Sequence, residues 1–192
     1  MGMPITKSGR TTGVTTGTVI AVNSTVNVSY GSCGTATFVG QVMTTAGLGA
    51  SGDSGSIVLE QATNTPVGLY FAGSALSGVM NPILDVYTAL KVFVDADESE
   101  GISSLAELQQ KAASMPVDAR IRLLKQVQKR HEARLLSVPG VNGVGIGMDE
   151  AGKNTVLVVF YEKLTDKVRK AIPSELEGVP VRLIESGAFV AH

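Results

Sequence analysis

Gly49-Ala50-Ser51-Gly52-Asp53-Ser54-Gly55-Ser56-Ile57-Val58-Leu59 is the stretch on which the reading turns. Two glycines bracket an Asp-Ser pair, and an apolar run begins directly after it. Taken alone, Gly-Asp-Ser-Gly reads as a loop of small polar residues. A chemical reading stands beside that one. A nucleophilic serine has to sit on a sharp turn that exposes its hydroxyl, with backbone N–H groups converging where an oxyanion forms. Glycine on each side of Asp53-Ser54 permits such a backbone. A strand from Ser56 to Leu59 would hold the turn on a rigid support.

Outward from this stretch, the grammar up to Val94 is that of a small β protein. Charged residues there are only Lys7, Arg10, Asp53, Glu60, Asp85 and Lys91. Short β-branched runs alternate and are broken by glycine: Thr18 to Val22, Thr25 to Tyr30, Ala36 to Met43, Ser56 to Leu59, and Val67 to Phe71. That pattern predicts a small antiparallel barrel or sandwich. Asn81-Pro82 then reads as the start of a helix over Ile83 to Val92, with asparagine as the cap and proline in the first turn.

The composition changes beyond Val94. Asp95-Ala96-Asp97-Glu98-Ser99-Glu100-Gly101 reads as an acidic linker. Two helices are expected next, over Ser103 to Ala113 and Val117 to Leu136. The second carries Ile121, Leu124, Val127 and Leu135 at helical spacing, with Asp118 at its start. The last part reads β–β–α–β, with strands Val141 to Met148, Thr155 to Tyr161 and Val179 to Ile184 and a helix around Thr165 to Ala171. The expected units are therefore 1–94, 95–137 and 138–192.

Composition narrows the function classes. Of the 192 residues, 44% are hydrophobic and 17% charged, and the formal net charge is -1. This is a globular balance without the basic field of a nucleic-acid binder. No apolar run approaches the roughly 20 residues of a membrane span. The N-terminus has no apolar signal-peptide core, and Cys33 is the only cysteine, which together favour a cytoplasmic setting. One thiol and two histidines do not make a structural zinc site, so no metal and no cofactor is expected.

Several motifs together resemble a known family. Lys7-Ser8-Gly9-Arg10-Thr11-Thr12-Gly13-Val14-Thr15-Thr16-Gly17-Thr18-Val19 is similar to the opening of the second barrel of streptogrisin and alpha-lytic-type bacterial serine proteases. A strand like Asn23 to Gly31, the Gly-Asp-Ser-Gly turn, a Val67-Gly68-Leu69 element and a terminal helix follow in the order of those proteins, from about Pro4 to Val94. The resemblance implies the all-β half of a chymotrypsin-like double barrel: an antiparallel six-stranded barrel plus terminal helix, followed here by a helical pair and a small α+β segment. It implies Ser54 as nucleophile, with the N–H groups of Gly52 and Ser54 as the oxyanion hole. Asp53 would pair with a buried cation, Lys7 first and Arg10 second. Gly49, Ala50, Ser51, Phe71, Ala72 and Gly73 would line the substrate pocket. At that pocket strand the relatives have a serine and two glycines where this chain has Phe71-Ala72-Gly73. The segment from Val138 is similar to a small α/β unit found beside uncharacterised bacterial trypsin-like proteases, where it is expected before the protease rather than after it.

A serine hydroxyl needs a base, usually a histidine oriented by a carboxylate. In the resembled family both come from the first barrel, which would lie upstream of the matched region. His131 reads as a solvated or half-buried helix residue and His192 as a loose terminal one. Two functions follow. One is a serine-type endopeptidase acting on peptide or protein substrates, with histidine and aspartate supplied by a missing N-terminal half or another chain. The other is a catalytically inactive protease-like interaction module. An isolated half-barrel is also expected to bind its missing half or self-associate through the uncovered apolar face.

Two decoys are set aside. Gly147-Met148-Asp149-Glu150-Ala151-Gly152-Lys153-Asn154 approaches a phosphate-binding loop, but it lacks the hydroxyl after Lys153 and leads into a strand. It reads as a hairpin turn. The glycines of Gly140-Val141-Asn142-Gly143-Val144-Gly145-Ile146-Gly147 alternate along a strand, and a helix packed on that face would account for them.

Overall fold

The structure is a computed structural model and describes residues 1–92, 104–114 and 118–192. The expected acidic linker from Asp95 to Gly101, and the expected helix starts at Ser103 and Val117, lie outside the described residues. The protein is mostly β. Strands β1 (Pro4–Gly9), β2 (Gly13–Ser29), β3 (Thr35–Thr45), β4 (Ile57–Glu60), β5 (Pro66–Gly73) and β6 (Ser77–Pro82) pair antiparallel in the order β1-β4-β5-β6-β3-β2. β2 returns to β1, so the six strands close into a ring. Ile5, Val19, Leu48, Val58, Tyr70 and Met80 form one buried cluster within it.

The sequence breaks at Asn23 because asparagine favours turns, and two strands are expected there. A single 17-residue strand forms instead. Asn23 adopts a left-handed φ of 51°, and the register with β3 shifts on either side of Ser24. These bulges absorb the irregular residue and bend β2 without ending it. Strand β1 and strand β6 were not marked by the alternating runs. Asn81 does not cap a helix either. It lies in β6 opposite Leu69, and its side-chain amide donates to Gln41 at 2.8 Å. Helix α1 (Ile83–Leu90) starts after Pro82 without a side-chain cap.

Helix α2 (Leu105–Ser114) precedes α3 (Ala119–Leu136). In α3, Leu124, Val127, Gln128 and Leu135 are buried and Asp118 caps the start by accepting from Arg120 N. Strands β7 (Val141–Met148) and β8 (Thr155–Tyr161) form a hairpin, and Asp149 binds back to Lys153 and Asn154 in its turn. Helix α4 (Asp166–Ala171) crosses to β10 (Val179–Glu185), which pairs parallel with β8 and antiparallel with the short β9 (Glu175–Leu176).

β7 also pairs antiparallel with β2, so the ring continues directly into the C-terminal strands. The glycines of β7 serve this junction, not a helix. Val144 and Ile146 face the cluster that contains Leu124 and Val127 of α3. A Cβ at Gly145 would come within 2.2 Å of Ser24 Oγ, and one at Gly143 within 3.0 Å of Val26. Close approach of the β2 side requires their absence. Among the described residues no helix is long and apolar enough to cross a membrane.

Candidate active site

The Gly52–Ser56 segment is built from two successive turns. Asp53 N donates to Ala50 O, and Ser56 N donates to Asp53 O, each at 3.0 Å. Gly52 (φ 95°) and Gly55 (φ 86°) occupy the third position of these turns, where a positive φ favours glycine. Gly55 N donates to Tyr70 O and Tyr70 N to Ser56 O, which ties the loop to β5. The consequence is alternation: Asp53 turns inward and is buried, while Ser54 is exposed. Neither the Gly52 nor the Ser54 N–H has a hydrogen-bond partner among the described residues. Both are free to donate.

Asp53 is held from the β1–β2 hairpin. Lys7 Nζ lies 3.1 Å from Oδ2, with both side chains at 0% exposure. Thr11 N donates to Oδ1 at 2.7 Å, Thr12 Oγ1 to Oδ2 at 2.6 Å and Ala50 N to Oδ2 at 3.0 Å. Burial alone would raise the carboxyl's pKa. The bonds from Thr12, Ala50, Thr11 and Lys7 outweigh it and hold the group well below the usual carboxylate range. Lys7, not Arg10, is the buried cation. The Arg10 guanidinium lies over Gly52, where a Cβ would meet it at 2.5 Å.

The expected pocket residues divide. Gly49 and Gly73 lie on Tyr70: a Cβ at Gly49 would be 2.6 Å from its ring, and one at Gly73 2.7 Å from its hydroxyl. Tyr70 is 1% exposed, and its pKa is pushed up to about 12, by burial first and by the charge of Asp53 second. Ala50 gives its N–H to Asp53, and Ser51 gives its carbonyl to Thr11. The Phe71 ring packs on Phe38, with centroids 4.9 Å apart, while its carbonyl accepts from Ser54 Oγ at 3.2 Å. Ala72 is buried in the cluster shared with the C-terminal strands. Tyr70 escaped the sequence reading, because a tyrosine in an alternating strand signals only a core position.

His131 and His192 have different environments. His131 lies on α3, 2.7 Å from Glu177. His192 is not a loose terminal residue. Strand β11 (Val190–Ala191) pairs antiparallel with β5, Val190 opposite Gly73 and Ala191 opposite Ala72. His192 N then donates to Phe71 O at 3.2 Å. Ser54 Oγ donates to the main-chain oxygen of His192, not to its imidazole. That ring stacks on Tyr70, centroids 5.7 Å apart and planes at 14°. The physical reason for the order is upstream: Phe189 is 2% exposed against Phe160, so the segment is anchored before it reaches Ser54. Among the described residues no three His, Cys, Asp or Glu side chains gather as a metal site would require.

A family model described as the Nal1 C-terminal domain matches residues 1–93. Among solved structures, a chymotrypsin from Cellulomonas bogoriensis is similar at 26% identity and a TM-score of 0.37, over 50% of this chain and 51% of that one. The chain thus spans about half the length of that protein. No curated protein matches it.

Proposed function

We propose that the protein is the nucleophile-bearing half of a serine-type endopeptidase with a chymotrypsin-like fold, and that Ser54 performs acyl transfer on peptide or protein substrates. The observation that carries this reading is the double turn at Gly52–Ser56: an exposed hydroxyl beside two main-chain N–H groups without partners. In the reaction, Ser54 Oγ bonds to the scissile carbonyl carbon while its proton passes to a histidine supplied from outside this chain. The Gly52 and Ser54 N–H groups stabilise the resulting oxyanion. The amine leaves with the proton, and water then releases the acyl group by the same route. Asp53 and Lys7 hold the loop in shape and are positioning residues. The partner would be an N-terminal protease half, or a second copy of this chain.

A catalytically inactive interaction module is the second reading. It is favoured by the hydrogen bonds of Ser54 Oγ, which goes to Phe71 O and His192 O and to neither imidazole. A fluorophosphonate probe separates the two. The enzyme reading expects labelling that vanishes in Ser54→Ala, on the full chain or after adding a polypeptide that carries the histidine and aspartate half. Absence of labelling under both conditions, with the Ser54 face opened as described below, assigns the protein to the second class.

A further inference from the structure

We propose that residues 189–192 are an intramolecular peptide ligand of the Ser54 cleft, and that the cleft takes an extended peptide whose last residue against Ser54 carries a flat ring. This rests on reading the Ser54 face as a peptide cleft, though not on its being catalytic.

The segment is seated by backbone and side chain together. Its strand adds in antiparallel register to the C-terminal end of β5, beyond the residues that pair with β4, in the way extended peptides join an open strand segment. The backbone supplies the pairing opposite Gly73 and Ala72, and His192 N continues it at Phe71 O. On the other side, Ser29 N donates to Phe189 O at 2.9 Å. His192 then delivers its main-chain oxygen to Ser54 Oγ, which donates to it, while the Gly52 and Ser54 N–H groups stay free among the described residues. Its ring lies on Tyr70 beside Gly73, where a Cβ would come within 3.3 Å of its Nε2.

The approach to the cleft is itself built. Ser186 is fully buried, its hydroxyl 3.1 Å from Asn142 Oδ1 and 3.2 Å from Tyr161 O. Ser74 Oγ donates to Ser186 O, Asn142 Nδ2 donates to Gly187 O, and Gly187 turns the chain with φ 65°. Residues 186–189 are thus fixed on the C-terminal strands, and only the last few residues lie over Ser54.

The pocket also states a preference. Nε2 of His192 is buried without a hydrogen-bond partner. The pocket is therefore matched to the shape of a ring and not to the imidazole's polarity. A phenyl ring fits the same stacking without an orphaned nitrogen. An acidic residue would place its charge beside an apolar ring wall and near the buried Asp53.

Because the segment is tethered, it competes at an effective concentration on the order of millimolar, so an added peptide binds the closed chain weakly. The test is fluorescence polarisation with labelled Gly-Ala-Phe-Val-Ala-His, the sequence of residues 187–192. The full chain is compared with Val190→Pro/His192→Ala, in which proline cannot donate to the ladder. Phe189 and the Ser186 anchor stay intact, and His192→Gly serves as a milder second variant. Binding is expected to be at least about tenfold tighter to the opened variants than to the parent chain. A peptide ending in Phe should bind roughly tenfold tighter than the one ending in His, and a peptide ending in Asp about tenfold weaker or worse. Equal affinity for parent and opened chains, or indifference to the final residue, overturns the assignment. The same variants are treated with the fluorophosphonate. Peptide binding that shifts as expected while Ser54 stays unlabelled, both alone and with the added histidine and aspartate half, sinks the protease reading and leaves this one standing. Labelling that is equal in parent and opened chains, without peptide binding, does the reverse.

Discussion

Lys7 and Asp53 form an ion pair of 3.1 Å from which water is excluded on both sides. Such a pair contributes little relative to an apolar replacement of both members, yet the loss of one member leaves an uncompensated buried charge. Lys7→Met is therefore expected to destabilise by about 3–5 kcal/mol in urea denaturation. Acid acts on the same group. The Asp53 carboxyl is held below its ordinary value of 3.8, so its contribution is present above that pH and declines as the pH falls below it. Denaturation midpoints measured from pH 6 down to pH 2, in about one-unit steps, should show this slope, and Asp53→Asn should flatten it.

Gly52 and Gly55 look equivalent in sequence but not in space. A Cβ at Gly52 meets Arg10 and Thr11 Oγ1 at 2.5 Å, whereas at Gly55 it meets nothing within 4 Å. Gly55→Ala should lose only the left-handed backbone cost, about 1–2 kcal/mol. Gly52→Ala should lose more, and should abolish fluorophosphonate labelling of Ser54 by turning its own N–H away. Equal stabilities for the two variants would contradict the packing described for this loop.

The imidazole of His192 gains a pH dependence from its position. Burial lowers its pKa from 6.5, and the carboxylate of Asp53, itself paired with Lys7, opposes this only in part. The docked state therefore prefers the neutral ring. Docking should be complete above pH 6.5 and weaken as the pH falls below it. Amide exchange at Val190, Ala191 and His192 checks this: protection should drop on acidification from about pH 7.5 to pH 5, and should become pH-independent in His192→Phe.

Gly145 tests the seam between the ring and the C-terminal strands. Its Cβ would sit 2.2 Å from Ser24 Oγ and 3.2 Å from Ser24 Cα, so β2 itself would have to move. Gly145→Ala should cost about 1–3 kcal/mol, and Ser24→Gly in the same chain should recover part of it. Thermal melts of the single and double variants measure the coupling.

Legibility in the sequence followed the range of the interaction. The Gly52–Ser56 turns depend on local backbone freedom, and small residues in that order announce them. Helix α3 and the β7–β8 hairpin could be read because their periodicity is internal. Strand β11 could not, since Val190-Ala191 is too short to show a period and has meaning only against Gly73 and Ala72. The continuity of β2 through Asn23 was hidden for a related reason. A turn-forming residue marks a break unless partners on both sides hold the strand together, and β3 and β7 do so here. Tyr70 shows the same limit, because its role arises only where Gly49, Gly73 and His192 meet it.

The register of β11 also carries a kinetic consequence. Ser54 and His192 are 138 residues apart in the chain, and Asn23 and Gln128, bonded at 3.0 Å across the seam, are 105 apart. Contacts between such distant partners form late and slowly, after hairpins such as β1–β2 have closed. Each refolding molecule should then pass through a period in which its serine face stands open before residues 190–192 arrive.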